Sequence, residues 1–246
     1  MLSLKNKRDI YKRFLIIAAA LFVAAEYVFA ILAQTLPGDK WGPACFSSIV
    51  LAAAFMLLFF EVRLEYLFTQ LALVCTVCAD YFLVLRDGEE KLAAMIFFSG
   101  TQIFYFLRLI IKTRPGIFRT VHLSVRAAVS LLAVLVTFLV LGEGTDALSV
   151  VSVFYYAHLI LNLIFAFITP GETPIFAIGL LLFLGCDTFV GFGMLGEYLP
   201  IAEGSLIDRL NRIPLNMAWV FYTPSQTLLA LSLLPRRLRA AGEVTK

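Results

Sequence analysis

Two aspartates stand inside long apolar runs of this chain: Asp80 in CTVCADYFLVL and Asp187 in GLLLFLGCDTF. Neither has a basic residue three or four positions away. An acid at such a place costs about 2.5–3.5 kcal/mol to insert into a bilayer, so its retention points to a use. A carboxyl kept from water can stay protonated near neutral pH and serve as a general acid, while a second carboxyl nearby acts as base or charge stabiliser. A third acid, Glu26, lies in the first apolar run. Two further spans carry an amide and a phenol on one helical face: Gln102 and Tyr105 are spaced i,i+3, and Tyr222 and Gln226 are spaced i,i+4. Tyr155, Tyr156, His158, Asn162 and Ser225 complete the polar groups within apolar segments.

The elements that must position these residues are membrane spans. The chain has 246 residues, is 61% hydrophobic and 15% charged, and has a mean hydropathy of +0.91. A soluble domain carries about 25% charged residues, so this composition excludes an ordinary soluble fold. A net charge of +3 is too small for nucleic-acid recognition. Eight runs long enough to cross a bilayer are expected at 14–33, 44–60, 67–85, 92–111, 123–141, 148–169, 175–194 and 215–234. Turn sequences such as LPGDKWGP, RDGEEK, GEGTD and PGETP separate them. Backbone hydrogen bonding in lipid makes the spans helices, giving an all-α polytopic bundle and one integral membrane domain over 1–246. The first run follows a basic stretch, but it is longer than a signal-peptide core and reads as a retained anchor.

Loop charge sets the orientation. Lys5, Lys7, Arg8, Lys12, Arg13, Arg63, Lys112, Arg114, Arg119, Arg236, Arg237, Arg239 and Lys246 fall on one side. Lys40, Arg86, Lys91, Arg209 and Arg212 fall on the other, with Arg108 and Arg126 near span ends. The positive-inside rule puts both termini in the cytoplasm, in the plasma membrane if the source is bacterial. At 1.5 Å per residue, Asp80 then lies roughly 8 Å, and Glu26 and Asp187 roughly 10 Å, below the outer ends of their spans. With Gln102, His158 and Gln226 deeper, the three acids outline one polar cavity open to the non-cytoplasmic side. The plainer reading of each polar residue is a hydrogen-bonded tie between helices. It weakens for the aspartates, because no Lys or Arg is expected deep in a span to pair with them.

Cys45, Cys75, Cys78 and Cys186 all fall in apolar spans, and C-x-x-C on a helix stacks two small residues on one face. No metal-ligand pattern or cofactor motif is visible. A faint echo links the halves: Cys78-Ala79-Asp80-Tyr81-Phe82 against Cys186-Asp187-Thr188-Phe189, each followed by a span with Gln and Tyr. A four-plus-four duplication would produce it.

These motifs resemble the YhhN family, multi-span membrane proteins that include the mammalian lysoplasmalogenases. CADYFLVL resembles its third-span aspartate motif, Gln102 to Tyr105 its next span, and GLLLFLGCD its penultimate span, with Cys186 for serine. YTPSQ, Tyr222 to Gln226, resembles the last span. The family's early Lys-Pro element is missing, Ala79 replaces the usual glycine, and Pro224 interrupts span 8. The resemblance implies an intramembrane hydrolase that cleaves the vinyl ether of a lysophospholipid. Asp80 and Asp187 would be catalytic, with Gln102, Tyr105, Tyr222, Gln226 and Glu26 binding substrate or water, and no cofactor. A transporter or lipid-binding protein using the same acidic cavity is the alternative, and a purely structural role for the acids is a third.

Overall fold

A computed structural model describes residues 4–58, 63–86, 90–235 and 238, with side chains from residue 9 onward. The helices are α1 (Leu4–Thr35), α2 (Gly38–Leu57), α3 (Leu64–Asp80), α4 (Lys91–Ile110), α5 (Ile117–Leu141), α6 (Ala147–Ile168), α7 (Pro174–Met194), the short α8 (Leu206–Asn211) and α9 (Met217–Leu231). No strand occurs among the described residues. The expected spans correspond to α1–α7 and α9; residues 59 and 60, placed at the end of the second span, lie outside the described residues. So do Arg236, Arg237, Arg239 and Lys246 and the side chains of Lys5, Lys7 and Arg8, which weighed in the charge count.

Among the described residues seven helices, α1–α7, are long and apolar enough to cross a membrane. The last helix, α9, has 15 residues, yet it runs the depth of the bundle. It begins beside the end of α1, where Gln34 Nε2 donates to the Asn216 carbonyl at 3.0 Å and the Asn216 N–H donates back at 2.9 Å. It finishes beside the start of α7, where Thr173 Oγ1 donates to the Ser232 carbonyl at 3.2 Å. α9 therefore runs between the level of the end of α1 and that of the start of α7, antiparallel to both.

The packing forms a closed ring. α2 lies against α3, α3 against α4, α4 against α6, α6 against α7, α7 against α9 and α9 against α2. α1 lies outside on α2 and α9, and α5 lies outside on α6. Their outer faces carry large exposed apolar side chains, including Leu21, Tyr27, Leu131 and Leu139. On a chain of this length and hydropathy, that surface fits hydrocarbon. The neighbours α1–α2, α2–α3 and α3–α4 recur as α5–α6, α6–α7 and α7–α9, and α4 meets α6 as α9 meets α2. The match is partial, since α1 also packs on α9 whereas α5 makes no comparable contact with α4.

Small residues bring α7 and α9 together. A methyl group on Gly179 would meet Leu229 Cγ at 2.9 Å, and one on Gly185 would meet the Phe221 ring at 3.0 Å. The Gly179 carbonyl also accepts from Ser225 Oγ at 2.9 Å. Close approach with an interhelical hydrogen bond is how helices associate where water supplies no hydrophobic force.

One end of the ring is sealed by charge. Arg108 on α4 donates through Nη2 and Nε to both oxygens of Glu172, at 2.8 and 3.3 Å, and through Nη1 to Thr69 and Ser232, at 3.0 and 2.6 Å. Lys112 bridges Glu172 and Glu65 at 2.6 and 2.8 Å. Arg108 is wholly buried, against its expected place at a span end. Glu172 lies in the PGETP turn, where sequence suggested only a reversal. Burial alone would raise its carboxyl, but Arg108 and Lys112 outweigh burial and hold it at about 2. Burial and the neighbouring Arg108 depress the Lys112 ammonium although two carboxylates touch it. The carboxylate thus gains more from the cluster than the lysine does.

Candidate functional site

Asp80 is the last α-helical residue of α3, and the next turn, Tyr81–Leu85, is a π-helix. Its closing bond runs from the Arg86 N–H to the Tyr81 carbonyl at 3.2 Å. Sequence had suggested plain helix through residue 85. Single π turns of this sort are frequent at functional sites. They widen the helix and re-aim its side chains. Here the turn packs against α2, whose Gly42 brings its Cα face to within a methyl group's contact of the Val84 carbonyl, 3.5 Å.

The Asp80 side chain is buried inside the ring, and its Oδ2 accepts from the Tyr222 hydroxyl of α9 at 2.7 Å. Asp187 on α7 forms a matching pair: its Oδ2 accepts a short hydrogen bond from the Tyr155 hydroxyl of α6. The two carboxyls are near enough to interact electrostatically. Two phenylalanines join the pairs. Phe183 packs its ring 5.5 Å from Tyr222 and 6.1 Å from Phe98, and Phe98 lies 5.7 Å from Tyr155. The result is two acid–phenol pairs set in an aromatic core. They differ in access: Asp80 is 1% exposed, whereas Asp187 is only half-buried.

Deeper in the ring lie the amides. Gln102 shares a face of α4 with Phe98 and Tyr105, and Gln226 sits one turn beyond Tyr222 on α9. Gln102 Nε2, the Tyr105 hydroxyl, Thr223 Oγ1 and both amide atoms of Gln226 are buried without a protein hydrogen-bond partner. Buried polar atoms are almost always satisfied, so five in one interior mark where polar groups of water or ligand belong. Below them the Tyr105 ring meets Phe176 at 5.3 Å, and Phe176 in turn lies 3.8 Å under the Arg108 guanidinium. That contact joins the polar interior to the charged floor.

Glu26 is placed apart from the aspartates. It is buried, its Oε2 accepts from Ser48 Oγ on α2 at 2.5 Å, and its other oxygen has no protein partner. It ties the outer helix α1 to the ring. Tyr155 was among the polar residues of span 6 but not in the expected site. Its signal was the spacing of Tyr155, His158 and Asn162 along one helical face. Arg126 corrects the expectation that no basic residue sits deep in a span: it is 5% exposed and bonded to His122, His158 and Asn162. Neither arginine pairs with an aspartate.

The four cysteines are free thiols, and Cys75 packs against Gly100 of α4, as helix contact requires. Among the described residues no group of three or more His, Cys, Asp or Glu is arranged to hold a metal ion.

A closed ring of transmembrane helices around paired acids and phenols defines an integral, multi-pass membrane protein with a polar interior. The YhhN family model matches residues 40–233, and the chain belongs to that family. The matched segment includes Asp80, Gln102, Tyr105, Asp187, Tyr222 and Gln226; Glu26 precedes it. No curated protein and no solved structure matches the chain.

Proposed function

We propose that the chain is a lysoplasmalogenase-like hydrolase that cleaves the vinyl ether of a lysophospholipid inside the membrane. The observation that carries this reading is that the Asp80–Tyr222 and Asp187–Tyr155 pairs are joined through Phe183 and Phe98 in one aromatic interior. Two carboxyls in different settings of one apolar interior can divide the roles of acid and base.

The chemistry uses both forms. The protonated carboxyl transfers its proton to the alkene carbon remote from the ether oxygen, and the remaining carbon becomes an oxocarbenium. The ionised carboxylate stabilises that charge and takes a proton from the water that adds to it. The hemiacetal then breaks its bond to the glycerol oxygen, which leaves as the alcohol, and releases a fatty aldehyde. One water is consumed, and no electron is gained or lost. The phenols orient the carboxyls by donating to them, while Gln102, Tyr105 and Gln226 offer unpartnered atoms to water and the glycerol hydroxyls. In this reading the lipid reaches the site from the side of Asp187, the more exposed of the two carboxyls. Both termini lie in the cytoplasm in this reading, so the Arg108–Glu172 floor faces inward.

Supplying purified protein with a lysoplasmalogen in mixed micelles and following aldehyde release tests the proposal. Turnover in heavy water should place one deuterium on the carbon next to the aldehyde. Absence of aldehyde across pH and head groups rejects the assignment. Uptake of a solute into proteoliposomes that collapses with the proton gradient would favour transport instead.

A further inference from the structure

Arg126 is a cation in the hydrocarbon-depth part of α5, and among the described residues no carboxylate lies within ion-pair distance of it. Its partners are neutral. Nε donates to His122 Nε2 at 2.9 Å, Nη1 meets His158 Nδ1 at 3.1 Å, and Nη2 donates to Asn162 Oδ1 at 2.5 Å. Its guanidinium also lies 4.4 Å over the Phe106 ring. An uncompensated buried charge is expensive, and a simple helix tie could be made without one. What a guanidinium supplies is direction, because it donates only and never accepts.

The direction propagates from group to group. Since Arg126 donates, Asn162 must present its oxygen to it, which turns the Asn162 Nδ2 toward α4. That nitrogen donates to both the Gln102 carbonyl and the Gln102 Oε1 at 2.9 Å. Gln102 therefore accepts through Oε1, and its Nε2 is left as a buried donor without a protein partner. The histidine side is consistent. His158 accepts at Nδ1, so its Nε2–H faces Ser130 Oγ at 2.9 Å, and the Ser130 hydroxyl donates onward to the Arg126 carbonyl at 2.8 Å. The chain of orientation from Arg126 thus ends at two buried donors without a protein partner: His122 Nδ1 on α5, the helix of Arg126 itself, and Gln102 Nε2 on α4, a helix of the ring.

We infer that Arg126 is a positioning residue: through Asn162 it locks the Gln102 amide with its NH2 group facing the ring interior, as a donor to a glycerol oxygen of the bound lipid. The inference rests on reading that interior as a lysophospholipid site, and it needs no bond to be broken. Uncompensated charge at Arg126 polarises the Asn162 and Gln102 amides in the same sense, which strengthens the terminal donor.

The test uses full-length protein and a saturated 1-O-alkyl lysophosphatidylethanolamine, whose ether has no alkene to protonate, and reads dissociation constant and Tm. Asn162→Asp gives Arg126 a counter-ion but can only accept, so the Gln102 amide must reverse and face the interior with its oxygen. Gln102→Glu keeps the acceptor toward Asn162 and replaces the terminal donor by an oxygen. Asn162→Asp should keep Tm, Gln102→Glu should lower it because it buries an acid, and both should bind the analogue about tenfold more weakly, the loss of one hydrogen bond. Arg126→Lys, still a pure donor, should bind more tightly than Arg126→Met.

A merely structural tie predicts wild-type affinity for Asn162→Asp and Gln102→Glu, and that result would overturn the inference. So would a wild-type protein that does not bind the analogue. Normal analogue binding with the expected losses, but no aldehyde from a true lysoplasmalogen, would instead reject hydrolysis and leave the inference standing.

Discussion

The Tyr222 hydroxyl donates to the Asp80 carboxyl at 2.7 Å, joining α3 to α9 across 142 residues of sequence. The pair is buried, and Tyr222 also touches Phe183 and, at 5.2 Å, Trp219. It is therefore held on several sides, and removing the hydroxyl should leave the ring of Tyr222 in place. Tyr222→Phe is expected to lower kcat roughly 10- to 100-fold, the loss of one or two strong hydrogen-bond equivalents. Tyr155→Phe should act in the same direction through Asp187. An unchanged kcat in both variants would show that the phenols do not set the carboxyls.

Gly179 marks where α7 and α9 come closest. An alanine methyl would press on Leu229 Cγ at 2.9 Å and on the Leu229 backbone nitrogen at 3.3 Å, and the backbone cannot swing aside. Gly179→Ala should destabilise by about 1–3 kcal/mol, as overpacking does, and should impair turnover by shifting Tyr222. At Gly185 the obstacle is the Phe221 ring, a side chain that can move, so Gly185→Ala should cost less. Thermal unfolding of the two variants in detergent compares them directly.

Arg108 on α4 ties α3, the end of α9 and the turn between α6 and α7 together through one guanidinium. Arg108→Ala leaves Glu172 with only Lys112 in a buried setting and should cost about 3–5 kcal/mol, as breaking a buried ion pair does. Arg108→Met with Glu172→Gln removes both charges and should recover part of the loss. Equal Tm values for the single and double variants would contradict the coupling.

The same cluster sets a pH dependence. Glu172 falls from an ordinary value of 4.5 to about 2 in the folded protein. Its contribution is therefore complete above pH 4.5 and is lost as pH falls from there through 2. The size is roughly 3 kcal/mol. Tm measured from pH 6 downward should decline in that window, and Glu172→Gln should flatten the decline. An identical slope in the variant would show that other acids cause it.

Spans were readable because apolar runs of that length have few other fates. Which residues meet across the ring was not readable. Tyr155 and Tyr222 both stood out as phenols, but nothing in the chain tells which aspartate each one reaches. Arg126 and Arg108 lie close to span ends in sequence, and only the tilt and packing of α4 and α5 turn them inward. Glu172 looked like part of a turn because its partners lie 60 and 64 residues away. The π turn after Asp80 leaves no mark in YFLVL, whose apolar residues suit a plain helix equally well.

The central claim is that Asp80 and Asp187 act together on a vinyl ether. Its most direct measurement is the rate of aldehyde release by wild type, Asp80→Asn and Asp187→Asn, each with retained Tm. The account predicts turnover by the wild type and a loss of about 100-fold or more in each variant. A wild type that releases aldehyde together with variants that keep its rate would contradict it.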